Sequence, residues 1–344
     1  MNKNLAITVL TWNDWENTTK CLESIFQSSY EYFDVILVDN NSDELHMNKI
    51  SEWANNNLKV EDEEIEFNPN KKIEIIKVTE NLKLSKRGER KIYLISSKKR
   101  KNERWSINLG CTAGVNLGYN FSLKHDYDYI ARIDCDLVIT KNYIESMINM
   151  LEKNPDIAAA SPKIIHGYLK NTIWWAGFKI NPFYLKFQKT MNLKKKRIID
   201  NDSLNGIIYS DVVSGCCSFY RSEILKKTGV GDEDFFFGPE DTELSHRIKK
   251  FGKIAVNLDV KTFHKITSSS KVSGWLSRSY YETKGFLLLI KKTGNWADKL
   301  IGYPYFILRI PYFLILMIFK LREKDRVIGF YLGCLDFFFK KKSK

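Results

Sequence analysis

The chain has 344 residues, of which 44% are hydrophobic, and this composition supports a sizeable core and excludes a disordered chain. Its formal net charge of +13 favours an anionic partner, such as nucleic acid, acidic lipid or a phosphorylated small molecule, or else a solvated basic face. The basic residues are concentrated at 83–104, at 186–197 and in the closing KKKSK.

The cysteine pattern and the N-terminus point to the reducing interior of a cell. The six cysteines include no C-x-x-C pair and no Cys/His spacing typical of zinc sites. We therefore expect reduced thiols in a cytosolic compartment. The apolar run from Leu5 is too short for a signal-peptide core, and no small-residue cleavage site follows it, so no export signal is predicted.

The first 150 residues alternate short β-branched runs with helical patterns, which is typical of a mostly parallel sheet flanked by helices. Buried strands are predicted at 5–10, 34–38, 72–78 and 128–134. Amphipathic helices are predicted between them, and a glycine-containing turn at 108–118 runs into another helix. The basic stretch 81–104 contains one further apolar run, KIYLISS, which we interpret as an excursion from the main sheet.

Two aspartates follow the predicted strand within ARIDCDLVIT at 131–140. Alternation along a strand places Asp134 and Asp136 on one face and Cys135 on the other. Open α/β sheets bind ligands at the carboxyl ends of their strands, where Asp39 is also expected. Converging carboxylates repel each other, and a divalent cation shared with substrate phosphates is a natural counter-charge. A solvated turn that happens to hold two aspartates is the alternative.

A second acidic pair lies within DEDFFFGPEDTELSHRIKKFG at 232–252. Glu240 and Asp241 complement the positive end of the predicted helix, which is a purely structural explanation. The apolar FFFG run, however, puts the pair at the lip of a hydrophobic loop, where burial raises the pKa of a carboxyl group toward that of a useful base. The next strand ends near His264, which is either a structural residue or a further metal ligand.

A series of motifs runs in order from Leu5 to Ser270. They are the first strand with its TWND turn, the VDNNS turn, the N-x-G-x-x-x-G-x-N-x-G stretch, the DCD motif, SGCCSFYR, PEDTELSHR and His264. In this order they resemble an inverting, rhamnosyltransferase-like family 2 glycosyltransferase of the type A, nucleotide-sugar-binding fold. The resemblance implies an α/β fold and a role in polysaccharide and cell-envelope biosynthesis.

The resemblance also implies donor-binding residues. Thr11 and Asp39 would hold the nucleobase and ribose, and Asp134 would contact the nucleotide. Asn116 and Gly215 would line the donor pocket.

The same resemblance assigns the metal and the chemistry. Asp136 and His264 would bind a Mg²⁺ or Mn²⁺ ion that bridges the diphosphate. Asp241 would be the general base that takes a proton from the acceptor hydroxyl, and Glu240 would orient that acceptor. One displacement at the anomeric carbon would then invert its configuration.

We expect a catalytic domain at 1–270, with a nucleotide-binding part at about 1–140 and an acceptor part at 141–270. A C-terminal helical extension, 271–344, is expected to associate with a membrane. A helix is predicted at 275–292, and 300–319 is the most apolar stretch of the chain.

The stretch 300–319 has three possible arrangements. It is long enough to span a bilayer, but Pro304, Arg309 and Pro311 interrupt it. Its aromatic residues and basic flanks favour a position in the membrane interface, and a buried or oligomer-forming helix pair is the third arrangement. Interfacial docking would place the cleft beside a lipid-linked acceptor on the cytoplasmic face of a membrane, in a prokaryotic cell.

Two other functions fit parts of the sequence. A nucleotidyltransferase acting on sugar phosphates would also bind a nucleotide at a carboxylate-held metal, but the chain has no phosphate-binding glycine-rich loop near its first strand. A basic nucleic-acid-binding protein would use the excess charge, but no helix-turn-helix, zinc-finger or RNA-binding signature is present. Trp174 and Trp175 either stack on a sugar ring or pack in the core.

Overall fold

The computed structural model describes residues 3–80, 82–84, 86–98, 107–169, 171–181, 186–189, 199–200, 204–265, 274–319 and 324–339. The strands within these residues are β1 (Leu5–Thr11), β2 (Phe33–Asp39), β3 (Ile75–Lys77), β4 (Ile92–Ser96), β5 (Tyr129–Ile133), β6 (Leu137–Ile139), β7 (Ile157–His166), β8 (Ile173–Trp175), β9 (Phe178–Asn181), β10 (Lys186–Lys189), β11 (Ile207–Ser210), β12 (Cys217–Arg221) and β13 (Lys253–His264). The helices are α1 (Trp15–Phe26), α2 (Glu44–Ala54), α3 (Cys111–Lys124), α4 (Tyr143–Lys153), α5 (Ser222–Thr228), α6 (Glu240–Ile248), α7 (Gly274–Thr293), α8 (Trp296–Phe319) and α9 (Lys324–Phe339).

One large sheet organises the molecule, in the order β11-β13-β7-β12-β5-β1-β2-β4-β3. Five strands that are consecutive in this sheet, β5, β1, β2, β4 and β3, run parallel to one another, as the alternation of strands and helices predicts. Beyond β5 the sheet is mixed, because β12 pairs antiparallel with both β5 and β7. The carboxyl ends of β1, β2 and β5 therefore lie together at one edge of the sheet.

The interpretation of KIYLISS as an excursion from the main sheet is wrong. These residues form β4, which pairs in parallel with β2 so that Val35 faces Ile92. The predicted third strand shrinks to β3, a three-residue strand at the edge of the sheet. Burial explains the exchange, because Ile92, Tyr93 and Leu94 are buried whereas Ile75 and Ile76 are only half-buried.

Part of the basic stretch that precedes β4 is structural. Arg87 donates to the carbonyl oxygens of His125 and Asp126, and Arg90 donates to the carbonyl of Phe26. These arginines hold the segment against the C-terminal ends of α3 and α1, so their charges serve internal contacts. Residues 81, 85 and 99–104 of the stretch lie outside the described residues.

Helix α3 lies close against the central strand β1 because glycines face it. A Cβ atom at Gly114 would meet the Leu10 side chain at 2.6 Å. Gly110, just before the helix, has φ +88°, a conformation that favours glycine. The Asn/Gly motif thus sets how closely the start of α3 approaches the carboxyl end of the sheet.

The C-terminal helices pack on each other and on the rest of the molecule. Tyr280 of α7 donates to Asp336 of α9 at 2.7 Å, and Leu287, Val327 and Phe330 form a small buried cluster between the two helices. Tyr281 of α7 also stacks on Phe236, at 4.3 Å between ring centroids, in the loop before α6. Among the described helices, none has the length and apolar character needed to cross a membrane.

Candidate active site

The DCD motif occupies a turn between β5 and β6, where Leu137 N–H donates to the Asp134 carbonyl at 3.0 Å. The expectation that both aspartates share one face of a strand is therefore wrong, since β5 ends at Ile133. The turn separates the two carboxylates. Asp134 points toward Arg132, and Asp136 lies beside His264, so each acquires its own basic neighbour.

Asp134 is held by a two-point ion pair with Arg132. The guanidinium Nε lies 2.7 Å from Asp134 Oδ1, and Nη2 lies 3.1 Å from Oδ2. Burial raises the pKa of Asp134, and the charge of Arg132 opposes that rise. The counter-charge of this aspartate is thus a residue of the protein, in addition to any cation that the site could hold.

The second contact between an aspartate of the DCD motif and a basic side chain joins Asp136 and His264. Asp136 Oδ2 and His264 Nε2 lie 3.2 Å apart. They meet because β6 pairs with β13, which places Leu137 opposite His264. The Trp174 ring packs edge-on against His264, at 4.4 Å between centroids, and restricts the imidazole. Trp175 is buried in the core, so the two tryptophans have different roles.

This pair fits part of a divalent cation site. It supplies a carboxylate oxygen and an imidazole nitrogen, and His264 Nδ1 is buried without a hydrogen-bond partner. No group of three His, Cys, Asp or Glu side chains suited to a metal ion occurs in the described part of the chain. Such a donor set suits a cation that takes its remaining ligands from water and substrate phosphates.

Asp241 lies at the start of α6, against the backbone of Gly215. The Gly215 N–H donates to Asp241 Oδ2 at 3.1 Å, and the Thr242 N–H donates to Oδ1 at 2.6 Å. A Cβ atom at position 215 would meet Asp241 Oδ2 at 2.9 Å, so this approach requires glycine. Gly215, which we expected in the donor pocket, therefore positions the predicted base.

The environment of Asp241 suits a base. Burial, reinforced by the negative charge of Glu240, raises the pKa of Asp241 to about 6. The nearby Arg132 guanidinium opposes this rise. A carboxylate with such a pKa is ionised at neutral pH and accepts a proton more readily than an ordinary aspartate. The sequence-based expectation of a raised pKa at the FFFG lip agrees with this direction.

The remaining predicted donor residues lie in two places. Thr11 and Asp39 are neighbours at the ends of β1 and β2. The Thr11 hydroxyl is buried and hydrogen-bonded to His46 Nε2 at 2.8 Å and to Thr18, and Asp39 accepts from the Ser42 N–H. Their side chains thus shape the edge of the sheet through internal contacts.

Asn116 is also bonded internally. Its side-chain amide donates to the Gly231 carbonyl at 2.8 Å and to Glu233, and its Oδ1 accepts from the Gly231 N–H. It still lines a cavity that brings together several predicted site residues with one that sequence reasoning missed. The cavity is lined by Asn116, Arg132, Gly215, Glu240 and Asp241, among others.

Arg132 is the main residue that sequence reasoning missed. It projects from the buried strand β5, and its Nη1 lies 3.4 Å from Glu240 Oε1. An arginine inside an otherwise apolar strand was the available signal, because a buried guanidinium needs acidic partners. Cys111 was also missed, and its sulfur lies 3.0 Å from Arg132 Nη2.

The fold is similar to that of a solved glycosyltransferase structure. The structure is similar to that of the mannosyltransferase PcManGT from Pyrobaculum calidifontis in complex with GDP-Man and Mn²⁺, with a TM-score of 0.53 and 12% identity, covering 99% of this chain and 89% of that one. It is also similar to S. aureus TarS 1–349, with a TM-score of 0.49 and 12% identity over 99% and 75% of the two chains. At these identities the likeness concerns the fold alone.

No match was found among curated proteins. The model of a sequence family described as "Glycosyl transferase family 2" matches residues 93–229. The matched segment begins in β4 and includes the Asn/Gly motif, the DCD turn and strand β12. The chain therefore contains a glycosyltransferase family 2 domain over residues 93–229, on a mostly parallel sheet flanked by helices.

Proposed function

We propose that this glycosyltransferase is an inverting, metal-dependent enzyme that moves a sugar from a nucleoside-diphosphate donor to a hydroxyl group of a glycan or lipid-linked acceptor. The observation that supports this most is the contact of Arg132 with both Asp134 and Glu240, at 2.7 Å and 3.4 Å. Two motifs about a hundred residues apart in the sequence thereby border one cleft.

The proposed reaction is a single displacement. Asp241, with a pKa of about 6, removes the proton of the acceptor hydroxyl as its oxygen attacks the anomeric carbon. The Gly215 and Thr242 N–H groups hold the carboxylate in place. Glu240, next to it, orients the acceptor. Because the base lies on the acceptor side and the nucleotide leaves from the other side, the anomeric configuration inverts.

The donor side of the proposal rests on Asp134, Asp136 and His264. Asp136 and His264 would hold Mg²⁺ or Mn²⁺, which, when bound, would offset the charge of the departing diphosphate. The similar mannosyltransferase structure contains GDP-Man and Mn²⁺, in line with this class of donor. Asp134 contacts the nucleotide, and Thr11, Asp39 and Asn116 support the walls of the pocket. The rhamnosyltransferase-like donor stays a prediction.

We also propose that the protein is cytoplasmic and peripheral on the inner face of the membrane. The outer surface of α8 and the end of α9 expose large apolar side chains, of which Trp296 is 78% and Leu308 72% exposed. With a net charge of +13, such a surface suits anionic lipid headgroups. The helices at 271–344 would then hold the catalytic residues of 1–270 beside the membrane.

Nucleotide release tests the proposed reaction. The protein is incubated with uridine-, guanosine- and thymidine-diphosphate sugars and simple acceptors, with Mg²⁺ or Mn²⁺ and with chelator, and the configuration of the product is read by NMR. We expect transfer only with the cation, and a product of inverted configuration. Retention of configuration, or tight salt-dependent DNA binding without transfer, would refute the proposal.

Vesicle sedimentation tests the membrane surface separately. We expect the wild type to sediment with vesicles of anionic lipid, and a variant with Trp296, Leu300 and Leu308 changed to serine to stay largely in the supernatant. Equal sedimentation of both proteins would contradict the membrane proposal without touching the reaction.

A further inference from the structure

We infer that Arg132 is a positioning residue that holds the donor-side carboxylate of Asp134 and the acceptor-side carboxylate of Glu240 in one fixed arrangement. This inference deepens the proposed function and rests on it, because it assumes that Asp134 faces the donor and Glu240 the acceptor.

The contacts of the guanidinium cover both sides of the cleft. Nε and Nη2 donate to the two oxygens of Asp134, at 2.7 Å and 3.1 Å. Nη1 points to Glu240 Oε1 at 3.4 Å, and Nη2 also lies 3.0 Å from Cys111 Sγ. Asp134 thus receives a close, two-point contact and Glu240 a longer, single one. The geometry of Asp134 is fixed more tightly than that of Glu240.

Burial makes this arrangement important. The Arg132 side chain is 7% exposed and that of Glu240 is 12% exposed. Within the described residues, no other arginine or lysine forms an ion pair with Asp134 or Glu240. Loss of the guanidinium would leave the carboxylates of Asp134, Glu240 and Asp241 without this counter-charge in a poorly solvated space. Like charges in such a space repel strongly.

The backbone of Arg132 is well placed to position its partners. It lies in β5, where it faces Thr8 of β1 on one side and Ser218 of β12 on the other. Asp134, by contrast, lies in a turn, and Glu240 begins a helix. A residue of the central sheet, paired on both sides, therefore contacts side chains from two different elements, a turn and a helix.

A lysine would not replace this function. Its ammonium is a single point charge, whereas the planar guanidinium presents several N–H groups in a fork that matches a carboxylate. Arg132→Lys therefore keeps the charge and loses the fork, and Arg132→Met loses both. The two variants separate geometry from electrostatics.

The test compares wild type, both Arg132 variants and a control, Arg221→Lys. Arg221 is a half-buried arginine at the far end of β12 that bonds to the Ile157 carbonyl and to Tyr129, away from the cleft. Donor KM, acceptor KM, kcat, the pH profile of kcat/KM and thermal stability are measured for each protein.

We expect Arg132→Lys to raise the donor KM by about 10- to 100-fold, the loss typical of charged hydrogen bonds. For Arg132→Met we expect the acid limb of the profile to move to higher pH by about one unit, because Asp241 loses a nearby cation. Among the described residues, the other titratable groups that face Asp241 are Glu240 and Tyr220, and both remain in the variant. Arg221→Lys should lower stability and leave the acid limb in place.

An unmoved acid limb in Arg132→Met, with only a loss of stability like that of Arg221→Lys, would overturn the inference. If Arg132→Met does not fold, Arg132→Lys decides, and a donor KM within about twofold of wild type would overturn it. A wild type that transfers no sugar would instead refute the proposed function, so the two failures are distinguishable.

Discussion

The two acidic pairs of the candidate site are built alike but on different supports. Asp134 and Asp136 sit in a turn between strands, whereas Glu240 and Asp241 begin a helix. In each pair one carboxylate faces Arg132, namely Asp134 and Glu240. The other carboxylate has a separate neighbour, which is His264 for Asp136 and backbone N–H groups for Asp241.

This difference in partners suits the adjacent carboxylates to the different tasks proposed for them. A histidine beside Asp136 leaves a nitrogen and an oxygen that could share a cation. Backbone N–H groups beside Asp241 orient its carboxylate without neutralising it, and burial keeps its proton affinity high. Four substitutions or conditions that act on one pair and not on the other test this division.

The largest effect is expected for Asp241→Asn. Loss of the base should lower kcat by roughly two to four orders of magnitude, with donor affinity near the wild-type value. Single-turnover kinetics and donor titration measure the two quantities. Because ionisation of Asp241 is disfavoured in the folded protein, the variant should be no less stable than wild type above pH 6. An equal loss of donor binding would contradict the assignment.

Asp136→Ala should act on the donor side of the proposed site, opposite the proposed base. It removes a proposed ligand, so the loss of cation-dependent donor affinity should exceed the roughly 10- to 100-fold typical of removing an outer partner of a metal ligand. Calorimetric titration with a nucleoside-diphosphate sugar, with and without Mn²⁺, measures this loss. Cys135→Ser, in the same turn, is the matched control. Unchanged cation dependence in Asp136→Ala would exclude it as a ligand.

The pH dependence should report Asp241. The base must be ionised, and its pKa is raised to about 6, so kcat/KM should fall about tenfold per pH unit below pH 6 and level off above it. The same raised pKa means that the folded protein holds this proton more tightly than the unfolded chain does. Stability from this group is therefore greatest below about pH 4 and declines as the pH rises to 6. In Asp241→Asn this acid limb should disappear.

The smallest effect is expected for Gly215→Ala. The added Cβ would lie too close to Asp241 Oδ2 and should shift the carboxylate by a few tenths of an ångström. We expect kcat to fall by about tenfold with little change in donor affinity. Gly206→Ala is a useful comparison because no atom lies near its Cβ position, although its positive φ brings its own strain. A wild-type kcat in Gly215→Ala would remove Gly215 from the support of the base.

Periodicity and turn chemistry predicted most of the nucleotide-binding half. They located β1, β2 and β5 and the helix between the first two of these strands, α1, whose N-cap is Asp14. They misplaced KIYLISS because a run inside a basic stretch looks exposed, and only pairing with β2 reveals its burial. Local patterns do not report which strand a run pairs with.

The candidate site could be predicted only in part, because local patterns do not report contacts between distant parts of the chain. Residue types singled out both acidic pairs and His264 as candidates, and these stay predictions. Alternation wrongly put Asp134 and Asp136 on one strand face, because it does not report that β5 ends at Ile133, where its pairing with β12 stops. Arg132 went unnoticed although Asp134 is only two residues away, because its second acidic partner, Glu240, comes from a distant part of the chain. A contact across 108 residues, such as Arg132 with Glu240, has no local signature.

The stacking of Tyr281 on Phe236 bears on how the C-terminal helices α7, α8 and α9 should be studied. Lys292 at the end of α7 pairs with Asp234 at 2.6 Å, so α7 braces the loop that leads to Asp241. Helix α9 in turn covers α7. A truncated chain would lose this bracing together with its apolar surface, and a drop in activity could then be mistaken for a need for lipid. Single-site changes on α8 keep lipid attachment and catalytic geometry as separate variables.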